Sequence, residues 1–495
     1  MSDFHLTANL LERYIQKPSE QFTLDDIIKY VFEKEIEMIN FRYVADDGKL
    51  KTLNFVVTGR TELENLLKYG ERVNGNAVFS YNNDEHTDLY VIPKFSTAFV
   101  NPFTELPTLD ILCSFYTWEG EPLKNSPENI LLAAIELFER ESQYEIKLFG
   151  ELEYYVISEF DNSYETNESH YQSAGPFSKF EKLRAEALKT IAQCGGRIRF
   201  GHAEHGSFNF KDKYYEQHEI EFLPTSPVEA IEQLIVSKWI LRMLGKKEGV
   251  DISFSPKVAM DKPGSGLHFH FILEKDGINI LGEGREFRKS ALQMISGILT
   301  HARSLTAFGN ALPSSFLRLH TSQKAPRYIC WGPSNRSALI RIPKINMKAM
   351  NGGSNRAKPS KGQYDPLFIY NQTIEYRGAD ASGYLYFFVA AILAAGMDGI
   401  SNDEYMKDIK SHLITENLHS NDAGEIKKRL KQLPESCKEA AQYLTEDQYF
   451  YTRKYPVFPD EVIRFVIARQ EYFQQQWENF NEDIPATIQY FMHYR

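Results

Sequence analysis

Two imidazoles stand two residues apart behind a tight turn in Gly264-Ser265-Gly266-Leu267-His268-Phe269-His270. Side chains alternate faces along a strand, so His268 and His270 project to one side. The glycines beside them let ligand atoms approach the backbone. Carboxylates repeat the same spacing at Glu151/Glu153 and Glu219/Glu221, and Glu375/Arg377 pairs opposite charges in the same way. Carboxylates set this closely raise one another's pKa unless a cation lies between them. Hard divalent cations such as Mg²⁺ or Mn²⁺ favour such oxygen ligands, with some imidazole. Arg336 and Arg341 add planar donors suited to phosphate or carboxylate. Five residues apart, they would face opposite sides of an ideal strand unless a bulge re-aims one. The set reads as a site for divalent metal plus phosphate. Each piece also has a plainer reading: a wet strand face for the histidines, a solvent-facing acidic strand, a salt bridge for Glu375 with Arg377. There is no Gly-x-x-x-x-Gly-Lys-Ser/Thr loop and no Gly-x-Gly-x-x-Gly, so phosphate would rest on metals and arginines.

The elements needed to position these groups can be read along the chain. Residues 25–107 are strand-rich: Met38 to Val44 alternates, turns at Asp46-Asp47-Gly48, and Leu50 to Val57 returns as a hairpin partner. Leu89 to Pro93 is a further short strand. Ser126 caps and Pro127 opens a helix with an apolar stripe at Ile130, Leu131, Ala134 and Leu137. A strand from Phe149 to Ile157 follows. Pro176 to Cys194 is expected as a helix ended by Gly195-Gly196, then a strand from Arg197 to His202, with Glu204 preceding a loop. Ser226-Pro227 opens another helix that closes near Gly245. Strands and helices alternate to about residue 400, and the rest is helical with its charges on a solvated face. The predicted class is α+β, with a small module at 1–122 and a larger unit at 123–495. The basic stretch from Lys344 to Lys361, without an acidic residue, is expected as a surface loop, or else as a segment that grips nucleotide or closes the site.

Composition narrows the function classes. A net charge of −11 argues against nucleic acid as the main partner. Cys113, Cys194, Cys330 and Cys437 are far apart and form no Cys-x-x-Cys pair, which suits a reduced, cytoplasmic protein. The start of the chain lacks the basic-then-apolar pattern of a secretory signal. The longest apolar run, Tyr384 to Met397, is too short for a bilayer and reads as a buried helix.

In combination these motifs resemble the glutamine synthetase family, closest to its bacterial type I-like pattern. Gly264 to His270 is similar to the family's Gly-Ser-Gly-Met-His-x-His segment. Asn335-Arg336-Ser337-Ala338-Leu339-Ile340-Arg341-Ile342-Pro343 is similar to its Asn-Arg-Ser-Ala-x-x-Arg-Ile-Pro signature, and Ile374-Glu375-Tyr376-Arg377 to its Ile-Glu-x-Arg segment. The resemblance runs in order from about residue 36 to 450. It implies a β-grasp-like N-terminal module, a catalytic domain on a curved antiparallel sheet, and a ring-shaped homo-oligomer. Each active site would lie between one subunit's catalytic domain and its neighbour's N-terminal module. It also implies ATP and glutamate as substrates, an amine or ammonia as acceptor, and Mg²⁺ or Mn²⁺ as cofactor.

Carried over by position, Glu153, Glu204 and Glu219 would bind the metal nearest glutamate; Glu216 is the alternative to Glu204. Glu151, His268 and Glu375 would bind the metal nearest ATP. His270 would face the nucleotide phosphates, with Arg341 on the same side. Arg318 and Gly264 would hold the α-carboxylate and amino group of glutamate. Arg336 and Arg377 would support phosphoryl transfer, Arg336 also touching nucleotide and Arg377 substrate. Four departures fall on working positions: Lys324 where the family's flap carries a glutamate, Asn74 where the module carries an aspartate, Pro263 before the Gly-Ser-Gly turn, and Thr373 for an arginine. A lysine puts positive charge where ammonium should bind, the wrong electrostatic sign. Three expectations follow: a γ-glutamyl ligase using another amine, an ordinary glutamine synthetase with compensating residues, or a non-catalytic relative that binds nucleotide or metal.

Overall fold

The computed structural model describes residues 3–82, 87–164, 170–283, 286–322, 324–343, 372–480 and 483–494. The basic stretch at 344–361 lies outside the described residues. Six strands form the N-terminal sheet: β1 (Met38–Val44), β2 (Leu50–Val56), β3 (Glu71–Asn74), β4 (Asp88–Pro93), β5 (Phe99–Val100) and β6 (Thr108–Tyr116). The expected hairpin forms with Met38 opposite Val56 and Val44 opposite Leu50, and β1 also runs parallel to β6. Alternation along β1 does not become alternating burial, since the five residues from Ile39 to Tyr43 are all buried. The polar face is covered because Asn40 Nδ2 and Arg42 Nε each donate to Asp110 at 2.7 Å. A core of Ile39, Phe41, Leu109 and Ile111 fills this module.

The larger unit is built on a sheet of nine described strands, ordered β15-β16-β17-β11-β7-β9-β8 with β10 and β12 at the side. These are β7 (Glu145–Glu159), β8 (Ile198–Phe210), β9 (Lys213–Phe222), β10 (Asp251–Ser253), β11 (Leu267–Lys275), β12 (Ile278–Asn279), β15 (Trp331–Pro333), β16 (Ile340–Ile342) and β17 (Ile374–Tyr376); β13 (Gly282–Glu283) and β14 (Glu286–Phe287) form a separate ribbon. All pairings are antiparallel except β15 with β16. One face of the sheet packs on helices. Leu152 and Tyr154 of β7 are fully buried there, and Gly150 lies against Leu234 of the helix Pro227–Glu248. Helix Leu385–Ser401 is buried along nearly its whole length, as its all-round apolar sequence requires. The opposite face, bearing Glu151 and Glu153, is left for chemistry.

Several helix boundaries follow the expected signals. Ser126 Oγ accepts from Asn129 N and Pro127 opens the helix Pro127–Ser142, whose buried stripe uses Phe138 beyond Ala134. The helix from Pro227 runs past Gly245 to Glu248 and is capped by Gly249 at φ 69°. The expected start at Pro176 is wrong by five residues, since the helix spans Glu181–Gln193. Glu216 is the cause: its carboxylate accepts from Ser178 Oγ at 2.7 Å, Lys179 N at 2.9 Å and Phe180 N at 3.1 Å, which holds that segment out of helix. Lys94 joins the two units, its ammonium between Glu128 at 2.7 Å and Glu232.

Candidate active site

Register across the sheet assembles the groups that the sequence scatters. On β11, His268 lies opposite Glu151 of β7, and Glu151 lies opposite Glu221 of β9. One step along, Glu153 faces Glu219, and Glu219 faces His202 of β8. On the other flank His270 faces Glu375 of β17, which in turn faces Arg341 of β16. Like charges directly opposite one another destabilise a sheet. Two such carboxylate pairs in adjacent rows therefore mark a place where stability has yielded to another demand.

The Gly-Ser-Gly turn meets this surface at close quarters. Gly266 N donates to Glu153 Oε2 at 2.7 Å, and Gln217 Nε2 donates to Gly264 O at 3.1 Å. A Cβ on Gly266 would sit 2.4 Å from Arg318 Nη2, and one on Gly264 would sit 2.5 Å from Pro256 O. Arg318 is buried behind the turn and donates to the carbonyls of Arg377, Gly378 and Ala379, each at 3.1 Å. Both histidines lean on one carboxylate: His268 Nδ1 lies 2.8 Å from Glu151 Oε2 and His270 Nε2 lies 3.0 Å from Glu151 Oε1. Stacking on Phe149 at 4.4 Å and a 2.8 Å hydrogen bond between Nδ1 and Thr373 Oγ1 fix the His270 ring. Thr373, one of the unusual positions, therefore orients an imidazole.

Charge is unevenly balanced over the surface. Burial acts to raise Glu151, but His270 and His268 outweigh it and hold that carboxyl well below the usual range. Burial likewise opposes ionisation of Glu375, yet Arg377, His270 and Arg341 bring it down to about 2. The anticipated Glu375–Arg377 pair forms, and Arg341 joins it. The other flank lacks such compensation. Burial and Glu153 push Glu204 up to about 8 against the pull of Lys324 and Arg336. Burial, Glu151, Glu153 and Glu204 push Glu219 well above its ordinary value. Glu204 Oε2 is buried with no hydrogen bond, and so are Nε of Arg341 and Nε of Arg377. Orphaned acceptors on one side and orphaned donors on the other suit a cation and an anion respectively.

A cavity of about 890 Å³ opens over these groups. Its walls include Glu151, Glu153, Glu204, Glu219, His268, His270, Gly264, Arg318, Lys324, Arg336, Arg341 and Arg377, with Glu375 buried beneath. Arg336 and Arg341 share the cavity because Arg336 precedes the strand rather than lying on it. Glu204 is on β8, not before a loop, where the register slips between Ala203 and Ser207. Glu216 is excluded from the cavity by its service to residues 178–180. Among the described residues, three groups of side chains place ligand atoms within 4.8 Å of one another: Glu151/His270/Glu375, Glu151/Glu219/His268 and His202/Glu204/Glu219; neither expected triad is among them, and Glu153 belongs to none. His270, expected only to face phosphate, thus joins a ligand group because register sets it opposite Glu375.

Asn74 does not reach this cavity. It caps the helix Gly75–Val78, accepting from Asn76 N at 3.1 Å and Ala77 N at 3.3 Å. Other lining residues were not anticipated. Tyr171 stacks on His205 with centroids 4.9 Å apart, and Arg199 pairs with Glu221. Thr415, Asn417 and His419 arrive on a segment held by Asn335, whose Nδ2 donates to Ile414 O at 3.0 Å and Glu416 O at 2.9 Å. The alternation of Thr415, Asn417 and His419 was a weak available signal.

The chain is similar to known proteins along most of its length. A family model described as glutamine synthetase, catalytic domain, matches residues 124–488. The glutamine synthetase of Thermotoga maritima is 27% identical over 439 residues, covering 86% of this chain and 90% of the relative. That of Microchaete diplosiphon is 26% identical over 475 residues, covering 89% and 93%. Among solved structures, a Plasmodium falciparum glutamine synthetase superposes with a TM-score of 0.74 at 19% identity, covering 95% of this chain and 99% of that one. A GmaS/ADP complex gives 0.72 at 17% identity, covering 92% and 96%.

Proposed function

The chain belongs to the glutamine synthetase family of ATP-dependent ligases, and from that premise we propose that it joins glutamate to an amine other than ammonium. The γ-carboxylate oxygen attacks the terminal phosphorus of ATP and ADP leaves. The amine nitrogen then attacks the acyl phosphate carbon, phosphate leaves, and the nitrogen loses a proton. The observation that carries this reading is Lys324, which lines the cavity beside Glu204 where an ammonium pocket would need negative charge.

The residues fit divalent metal. A buried Glu204 Oε2 without a hydrogen bond and a Glu219 carboxyl pushed up by Glu151, Glu153 and Glu204 are acceptors that suit a divalent cation. Mg²⁺ or Mn²⁺ held by Glu153, Glu204 and Glu219, and by Glu151, His268 and Glu375, would neutralise phosphate charge during transfer. The chain's own cations do the rest. Arg341 and Arg377 each keep an unspent Nε donor, and Arg336 stands exposed on the rim near the Tyr171 hydroxyl. These donors suit an equatorial phosphoryl oxygen, where charge is spread in the transition state. Arg318, locked by three carbonyls, and the bare backbone at Gly264 make a rigid seat for the amino-acid end of glutamate. That seat acts by positioning, so it lowers the entropy lost at reaction.

The acceptor reading is tested by product identification. The protein is incubated with ATP, Mg²⁺, glutamate and an equimolar mixture of ammonium, alkylamines, polyamines and amino acids, and products are separated by mass. A γ-glutamyl amide of an organic amine is expected as the main product. Glutamine as the main product would overturn the reading in favour of ordinary glutamine synthesis; no amide at all would favour a non-catalytic binder.

A further inference from the structure

A second cavity, of about 230 Å³, lies between the β1–β2 hairpin and two helices of the larger unit. Val44 and Leu50 of the hairpin, Ile235 and Trp239 of helix Pro227–Glu248, and Phe387 of helix Leu385–Ser401 give it apolar walls. Three cations line the space: Lys49 beside the hairpin, and Lys238 and Arg242, one helical turn apart. Lys238 Nζ donates to Ala381 O at 2.6 Å. Arg242 is placed differently. Its Nη2 is buried with no hydrogen bond, and no carboxylate pairs with it among the described residues. Its guanidinium lies 4.9 Å from the centroid of the Phe254 ring. Asp46 is on the same wall, but it accepts from Ser80 N at 2.8 Å and Ser80 Oγ at 2.6 Å. Burial lowers the Arg242 pKa to about 10.

A guanidinium stays charged, so removing its water without a counter-ion is unfavourable until an anion replaces that water. Its planar fork matches a carboxylate best. Apolar walls on the remaining sides disfavour a bare inorganic ion and favour a ligand with a hydrophobic body.

We propose that this cavity is a second ligand site, which takes a small organic acid with its apolar body against Trp239 and Phe387 and its carboxylate on Arg242. The site is independent of acceptor choice. A ligand there joins the N-terminal hairpin to the helix that follows Glu375 and Arg377 in sequence, so occupancy ties the module to the segment carrying those residues.

The test uses the full-length assembled protein with Mg²⁺, ADP and glutamate present, so that the larger cavity is filled. Phenylacetate is titrated by calorimetry and by Trp239 emission, with phenylacetamide as its neutral counterpart. Saturable phenylacetate binding is expected, weakened about tenfold with phenylacetamide and in Arg242→Gln. Arg242→Lys keeps the charge and should retain part of the affinity, which separates loss of charge from loss of fold. Trp239→Phe should keep the heat and lose the emission change. Absence of saturable binding, including that caused by a second copy of the chain covering the cavity, would overturn the proposal. Equal affinity for the amide, or for Arg242→Gln, would do so as well.

Discussion

In the proposed reading, Lys324 sets which amine the cavity accepts. A unit charge about 8 Å from an incoming cation, at an effective dielectric constant of about 20, is worth roughly 2 kcal/mol, or about thirtyfold in rate. Lys324→Gln, which removes that one charge, should therefore raise the kcat/KM for ammonium by about that factor and lower it for an acidic amine. Unchanged selectivity would remove Lys324 from the acceptor pocket. Glu204 carries the unbonded buried oxygen of the carboxylate cluster. Glu204→Gln should weaken Mn²⁺ binding, followed by electron paramagnetic resonance, by about tenfold or more. Gly266 is needed for a steric reason, since a methyl there would press on Arg318 and lie 3.0 Å from His268 Nε2. Gly266→Ala should abolish most turnover while the far-ultraviolet circular dichroism stays native; an active variant would show that the turn does not need close approach.

At the scale of elements, the paired spacings and the local β1–β2 hairpin were legible, and the pairings between distant strands were not. Glu151/Glu153 and His268/His270 follow from the two-residue period of a strand, a local property. Which strand lies beside which depends on long-range pairing, so sequence left Glu204 and Glu216 as alternatives. The structure separates them by the face each occupies, with Glu216 holding Ser178 to Phe180. The segment at Thr415 to His419 was missed for the same reason, because Asn335 reaches it across 79 residues to Ile414 O. Another long-range tie has a pH signature. His301 bridges Asp398 at 2.9 Å and Asp447 at 3.1 Å, with Lys454 also on Asp398. Burial opposes its charge, but both aspartates raise its pKa above 6.5. The group therefore contributes stability below that unfolded value and loses it as pH rises through the higher folded one. Burial also opposes the Asp398 charge, yet His301 and Lys454 hold it at about 2, so its contribution fails only in strong acid. His301→Gln should lower the melting temperature more at pH 6 than at pH 9; an equal loss at both would show that the imidazole acts by packing alone.

At the scale of the whole molecule, the cavity is built from the larger unit, while Asn74 sits on the N-terminal module away from it. A ring in which one subunit's module completes its neighbour's cavity gives Asn74 a place in the chemistry. Mass photometry should then show a closed homo-oligomer. Subunits carrying Asn74→Ala and subunits carrying Arg336→Ala, each inactive in its own assembly, should regain activity when unfolded and reassembled together. No recovery would place the complete site within one chain. The most direct measurement of the central claim is phosphate release with ATP, Mg²⁺ and glutamate, comparing ammonium with single organic amines at equal concentration. Faster release with an organic amine, and little response to ammonium, is the predicted result. Saturating stimulation by ammonium, unmatched by any other acceptor, would contradict it.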